Sequence, residues 1–303
     1  MICAYTERRW NELRAAVASV QQQRYAPQEI IVVVDNNSAL FERVCAEFPQ
    51  VTAIENRYRR GLSGARNSGI AVARGEVIAF LDEDAIAAPD WLEHLLAPYD
   101  QPNVVGVGGA IEPLWLEGRP RWFPDEFNWV VGCTYRGLAP VLHPVRNLIG
   151  CNMSFRRTVF EAVGGFRDGM GRIGTKPLGC EETEFCIRLQ QQEPQWVLLY
   201  EPRAGVAHAV PPTRARWRYF IERCFGEGVS KAQVTRSVGA QDGLASERTY
   251  ALRTLPSGIA RGLADTLFHV DVAGLGRAVA ITAGLGTTIA GYLTSWLWHR
   301  WAN

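Results

Sequence analysis

Two hydrophobic periods alternate along the first hundred residues. Runs of consecutive apolar residues, Ile30 to Val34 within 29–34 and Val77 to Leu81, many of them β-branched, predict strands buried on both faces. Further strands are predicted near 2–5, 51–55 and 104–112. Between them apolar positions recur three and four apart, as at Trp10, Leu13, Val17 and Val20, which predicts helices with one buried stripe. This alternation is the βαβ pattern of an open, mostly parallel, Rossmann-like sheet flanked by helices. Such α/β sheets bind ligands beyond the carboxyl ends of their strands.

Polar clusters fall at those ends. The 77–81 run stops abruptly in Asp82, Glu83 and Asp84; the 29–34 run closes on Asp35-Asn36-Asn37-Ser38; Ile54-Glu55-Asn56 leads to Gly61-Leu62-Ser63-Gly64-Ala65-Arg66-Asn67. Adjacent acids repel, and a fold that keeps them together supplies a cation. Of Asp82 and Asp84, one carboxylate suits a hard metal such as Mg²⁺ or Mn²⁺ while the other takes a sugar hydroxyl. The competing reading is a solvated acidic turn before a helix that starts at Pro89, with Glu83 facing solvent. Position at a strand end favours the ligand site.

Composition narrows the classes. A formal charge of +1, from 32 basic and 31 acidic residues among 303, gives no electrostatic reason for a nucleic-acid partner. The seven cysteines are scattered and without Cys-x-x-Cys spacing, so they indicate neither a disulfide framework nor structural zinc; most are expected to be small buried hydrophobes. No signal peptide precedes the first strand, which begins almost at Met1, and residues upstream are left open.

The organisation reads as an α/β domain over 1–234, with a strand-and-helix half at 1–112 and an aromatic, proline-interrupted half at 113–234, then a linker and helical tail over 235–303. From Ala278 to Trp298 no charged residue occurs, which meets the length of a membrane helix. Glycines, threonines and serines dilute its hydrophobicity, and Trp296, Trp298, His299, Arg300 and Trp301 make an interfacial end. The tail is expected to associate with a membrane surface, with spanning and oligomer formation as alternatives.

Taken in order, Tyr5-Thr6, Asp35-Asn36-Asn37-Ser38, Gly61 to Asn67 and Leu81-Asp82-Glu83-Asp84 resemble glycosyltransferase family two, nucleotide-sugar enzymes of GT-A fold. Gly150-Cys151-Asn152-Met153-Ser154-Phe155, Val163-Gly164-Gly165-Phe166 and Glu181-Glu182-Thr183-Glu184 continue the resemblance downstream. It implies an inverting, metal-dependent transfer from a nucleotide sugar, most naturally a UDP-sugar, to a cell-envelope glycan or polyprenyl-linked saccharide in polysaccharide biosynthesis. The expected location is the cytoplasmic face of the cell membrane. A noncatalytic nucleotide-sugar- or glycan-binding scaffold is the alternative.

The same resemblance assigns roles. Thr6, Asp35, Arg66 and Asp82 are expected at the nucleotide sugar, Asp84 and His208 at Mg²⁺ or Mn²⁺, and Glu181 and Trp217 at the acceptor. Glu182 is the expected general base, in a position where the family usually carries aspartate. Glu184 is expected to orient or cap. Thr213-Arg214-Ala215-Arg216-Trp217 is similar to the Gln-x-x-Arg-Trp motif of processive members, but threonine replaces the glutamine, which argues against processivity.

Overall fold

The computed structural model describes residues 1–172 and 178–301, and within these the chain forms two compact units. The first holds residues 1–112, 140–172 and 181–209. Its elements are β1 (Ile2–Ala4), α1 (Trp10–Gln21), β2 (Ile31–Val34), α2 (Ser38–Glu47), β3 (Thr52–Glu55), α3 (Leu62–Val72), β4 (Val77–Asp82), β5 (Ala85–Ala87), α4 (Trp91–Leu96), β6 (Val104–Trp115), β7 (His143–Pro144), β8 (Asn152–Arg156), α5 (Arg157–Val163), α6 (Glu181–Gln192) and β9 (Val197–Val210).

The sheet order is β3-β2-β1-β4-β8-β6-β9-β5, with β7 beside β9 off this path. From β3 to β4 it is parallel, as the βαβ alternation requires, and every residue of β2 is buried. Beyond β4 the pairing turns antiparallel at β8, at β6 on β8 and at β5 on β9. The apolar run at Val197–Tyr200 marks only the start of β9. After Pro202 the strand continues by strict alternation, burying Ala204, Val206, His208 and Val210. His208 therefore stands on a strand, paired with Ala85.

Behind β4 and β8 the core is aromatic. Phe160 stacks on Phe185 at 5.2 Å, and Phe155 meets Phe185 edge-on at 5.0 Å. Each such buried ring contributes roughly 1.5–3 kcal/mol. Phe166, from the Gly164-Gly165-Phe166 turn, joins them, and Asn67 of α3 holds its backbone by donating to Phe166 O (2.8 Å) and accepting from Phe166 N (2.9 Å). Fully buried Asn152 donates to the carbonyls of Ala110 (3.0 Å) and Ala204 (2.8 Å) and accepts from Trp91 Nε1 (2.8 Å), tying β8 to β6, β9 and α4. Beside it Gly109 leaves no room, since a Cβ there would lie 1.8 Å from Ala204 O. Gly109→Ala is expected to lower stability by on the order of 3 kcal/mol, read as a lower urea midpoint at unchanged slope. An unmoved midpoint would mean that the strands part at little cost.

The second unit holds residues 113–139, 178–180 and 210–301. It adds a tight 3₁₀ segment (Asp125–Val131) and α7 (Trp217–Val238), α8 (Ala240–Gly243), α9 (Ala245–Thr249), α10 (Leu255–Phe268) and α11 (Val272–Trp301). The stretch expected as a linker is thus largely helical. Glycines make its helix packing close: a Cβ at Gly228 of α7 would lie 2.0 Å from Thr288 O, and one at Gly291 of α11 would lie 2.2 Å from Phe225 O. Of the glycines that weaken the apolar run, Gly284 and Gly291 are therefore contact points, while Gly286 faces open space. Ala280 and Ile281 are buried on that face of α11, while Leu275, Val279, Ile289 and Leu293 stay exposed. The span Val272–Trp298 is long and apolar enough to cross a membrane by length and composition, with 28% of its most apolar stretch buried. The side chains of His299, Arg300 and Trp301 lie outside the described residues.

Candidate active site

The parallel strands deliver their acidic ends to one edge of the sheet. Pairing of β5 with β9 sets His208 against Asp84, whose backbone carbonyl accepts from Ala209 N at 2.8 Å. His208 Nε2 lies 3.1 Å from Asp84 Oδ1. Asp82 is half-exposed, and Asp82, Cys151 and His208 each offer a ligand atom within 4.8 Å of the others. Arg9, just after β1, reaches across to Glu83 Oε1 (3.0 Å) and Asp84 Oδ2 (3.2 Å). Glu83 does not face solvent as expected: it is 3% exposed, and its Oε2 has no hydrogen-bond partner. Burial pushes its carboxyl up to about 8 against the opposing pull of Arg9.

The ends of β1 and β2 lie beside this cluster's strand. Thr6 caps the single turn Glu7–Arg9, accepting from Arg8 N at 3.4 Å. Asp35, at the end of β2, accepts from Asn56 Nδ2 (2.6 Å) and from the backbone N–H of Gly61 (3.0 Å). Gly61 enters α3 at φ 126, a conformation suited to glycine. Arg66 of α3 is 2% exposed. It donates to Glu181 Oε1 (2.9 Å) and to Gly150 O (3.1 Å), and stands 3.8 Å from Asp82 Oδ1. Burial opposes its charge, yet Glu181 and Asp82 together hold its pKa above the ordinary arginine value.

Helix α6 opens with the acidic motif, each acid differently placed. Glu181 is buried on Arg66, and its second oxygen, Oε2, has no hydrogen-bond partner. Glu182 is half-buried and accepts from Thr183 Oγ1 at 3.4 Å. Glu184 is fully buried between Arg188 and Arg167, each 3.0 Å away, so it anchors the helix. In the second unit Trp217 opens α7, stacked on Phe220 at 5.4 Å and edge-on to Trp122 at 5.0 Å, with 42% of its surface exposed.

Residues 1–164 match the family model described as Glycosyl transferase family 2. The chain is also 37% identical over 235 residues, 76% of its own length and 75% of the relative's, to a glucosyl-dolichyl phosphate glucuronosyltransferase of Haloferax volcanii. The chain belongs to glycosyl transferase family 2. Its fold is GT-A. Among solved structures, this glycosyltransferase superposes on a mannosyltransferase of Pyrobaculum calidifontis in complex with GDP-Man and Mn²⁺ (TM-score 0.60, 19% identity, 99% of this chain and 87% of that one). It also superposes on GalNAc-T7 with UDP, GalNAc and Mn²⁺ (TM-score 0.52, 17% identity, 82% of this chain and 53% of that one).

Two residues at the glycosyltransferase's strand ends escaped the sequence reading. Cys151 passed as a buried hydrophobe, although it directly precedes β8, the strand paired with β4. Its backbone carbonyl accepts from Asp82 N at 3.3 Å, which brings the thiol to the acids. Arg9 sits in a charged stretch that reads as helix surface. The signal for it was the acidic cluster itself, which demanded a cation without saying where it came from.

Proposed function

We propose that this glycosyltransferase moves a sugar, with inversion, from a UDP-sugar to a hydroxyl of a polyprenyl-phosphate-linked saccharide of the cell envelope, using Mg²⁺ or Mn²⁺. The observation that carries the reading is the set Asp82, Cys151 and His208, whose ligand atoms converge within 4.8 Å, with Asp84 3.1 Å from His208 beside it. Carboxylate oxygens and an imidazole suit a divalent ion. Asp84 and His208 would hold the ion. Once bound, it would neutralise charge on the departing diphosphate.

The chain's own residues do the rest. Thr6 and Asp35 meet the nucleoside and Asp82 the ribose or donor sugar; Arg66, which bonds Glu181 and Gly150 and faces Asp82, positions Asp82 and Glu181. Glu182 takes the proton of the acceptor hydroxyl as its oxygen bonds to the anomeric carbon, the bond from that carbon to phosphate oxygen breaks, and the electron pair leaves with the nucleoside diphosphate. Glu181 and Trp217 contact the acceptor. The Haloferax relative's name, a transferase to glucosyl-dolichyl phosphate, supports a lipid-phosphate acceptor that already bears a sugar. Purified protein screened against UDP-, GDP- and dTDP-sugars, with and without Mn²⁺, tests this. Metal-enhanced binding and slow hydrolysis of a UDP-sugar are expected. Preference for another nucleotide would overturn the donor assignment.

A further inference from the structure

The turn joining α10 to α11 is built against the habits of a solvated turn. Leu267, Phe268, Val270 and Val272 are 74%, 78%, 82% and 76% exposed. Such positions ordinarily go to glycine, asparagine or aspartate. Val270 moreover adopts φ 53, a left-handed conformation that a β-branched residue strongly resists, and the strain lifts its side chain into solvent. Leu263, Leu275 and Val279 extend the apolar surface along both helices. Scattered exposed hydrophobes are normal, but a contiguous patch of this kind marks an interaction.

The charges around the turn select the partner. Its two acids are neutralised within the chain: Arg277 binds Asp265 (2.8 Å) and Asp271 (2.9 Å), and Arg121, largely exposed, binds Asp271 at 2.8 Å. Arg121 and Arg277 also line a cavity of about 400 Å³ with Arg119, Arg136 and Arg261, which are paired with Asp125 and Glu126, so that five arginines face the four acids Asp125, Glu126, Asp265 and Asp271. An apolar tip backed by acids that are all neutralised, and by arginines that outnumber them by one, matches an anionic bilayer, in which apolar side chains enter the acyl boundary about 5–10 Å deep and arginines meet phosphates. A second copy is a poorer match: the tip offers a few hundred Å², short of the roughly 800 Å² per partner of a stable dimer.

We propose that the turn Leu267 to Val272 is a wedge that inserts into an anionic lipid bilayer, with Arg121, Arg261 and Arg277 at the level of the lipid phosphates. The inference rests on the reading of a membrane-borne acceptor and moves the anchor from the length of Ala278–Trp298 to this turn. Deleting the whole tail is a poor test, because α11 covers Phe127 and Phe220 through Gly284. Point changes at the solvated tip leave that packing alone.

Full-length protein would be sedimented with vesicles of phosphatidylcholine and phosphatidylglycerol. The double change Phe268→Ser with Val270→Ser is expected to weaken vesicle binding by about tenfold or more without lowering the melting temperature. Leu293→Ser with Trp298→Ser, exposed at the far end of α11, should change it less than about twofold. A polarity-sensitive dye on Val270→Cys, in a background of Cys45→Ser to remove the exposed thiol, should shift to the blue on anionic vesicles and much less on phosphatidylcholine alone. Unaltered binding by the tip variant, loss through the Leu293 and Trp298 pair instead, or a vesicle-indifferent dimer that the tip variant dissociates would each overturn the wedge. Transfer to a water-soluble acceptor analogue is read in parallel. If it persists while the tip proves irrelevant, the wedge alone fails; if the tip drives vesicle binding but no lipid-phosphate saccharide accepts sugar, the proposed acceptor fails and the wedge stands.

Discussion

Replacing Glu182 with glutamine is expected to cut turnover by about 10²-fold or more while donor affinity stays within a few-fold, the pattern of a lost proton acceptor. Its neighbours make the comparison sharp. Glu184 is fully buried between two arginines, so Glu184→Gln would unpair a buried charge and cost on the order of 3 kcal/mol of stability. Glu182 is half-buried rather than enclosed, and glutamine keeps its size, so Glu182→Gln should melt closer to wild type than Glu184→Gln. Turnover and melting temperature, measured on both variants, separate chemistry from scaffold. If Glu184→Gln were stable but inactive and Glu182→Gln nearly fully active, the base would be the other acid.

Asp84→Ala is expected to abolish both turnover and the enhancement of donor binding by Mn²⁺. Asp84 meets His208 on one oxygen and Arg9 on the other, so it links the two. Titration calorimetry of a UDP-sugar with and without Mn²⁺ reads the effect directly. The wild-type enzyme should show tighter binding with the ion, and the variant should show the same weak binding in both conditions. Wild-type activity that persists in strong chelator would remove the metal from the mechanism.

Much of the first unit was legible because its signals are local. The run from Val77 to Leu81 has no reading but a buried strand, and β4 forms there; β2, β3 and β6 likewise lie within a few residues of their apolar runs. Their polar ends then fall together by the geometry of a parallel sheet. What escaped depends on partners remote in sequence. Nothing in the stretch around Arg66 tells that a helix beginning 115 positions later brings Glu181 to it. Glu83 looked solvated because an acid next to two others reads as a turn, whereas the antiparallel β5–β9 pair folds over and buries it. The later half of β9 was hidden by Glu201-Pro202-Arg203, which resembles a break although the alternation of buried positions resumes at Ala204. In the tail, glycines lowered hydropathy, a one-dimensional measure, but the role of Gly291 among them is the close approach of helix backbones.

Arg66 carries one more consequence, for anyone who would re-engineer this enzyme. A single planar guanidinium serves the end of β4 at Asp82, the carbonyl of Gly150 and the first acid of α6. Its two terminal nitrogens are directed at different partners, so even Arg66→Lys would keep the charge and lose the shape. Substitutions at Asp82 and at Glu181 should therefore be epistatic, their combined effect departing from the sum of the separate ones, because each shifts the group that the other leans on. A library aimed at Asp82 to change the sugar accepted would perturb Glu182 in the next position along the helix. Variation at Asp82, Arg66 and Glu181 has to be searched jointly rather than one site at a time.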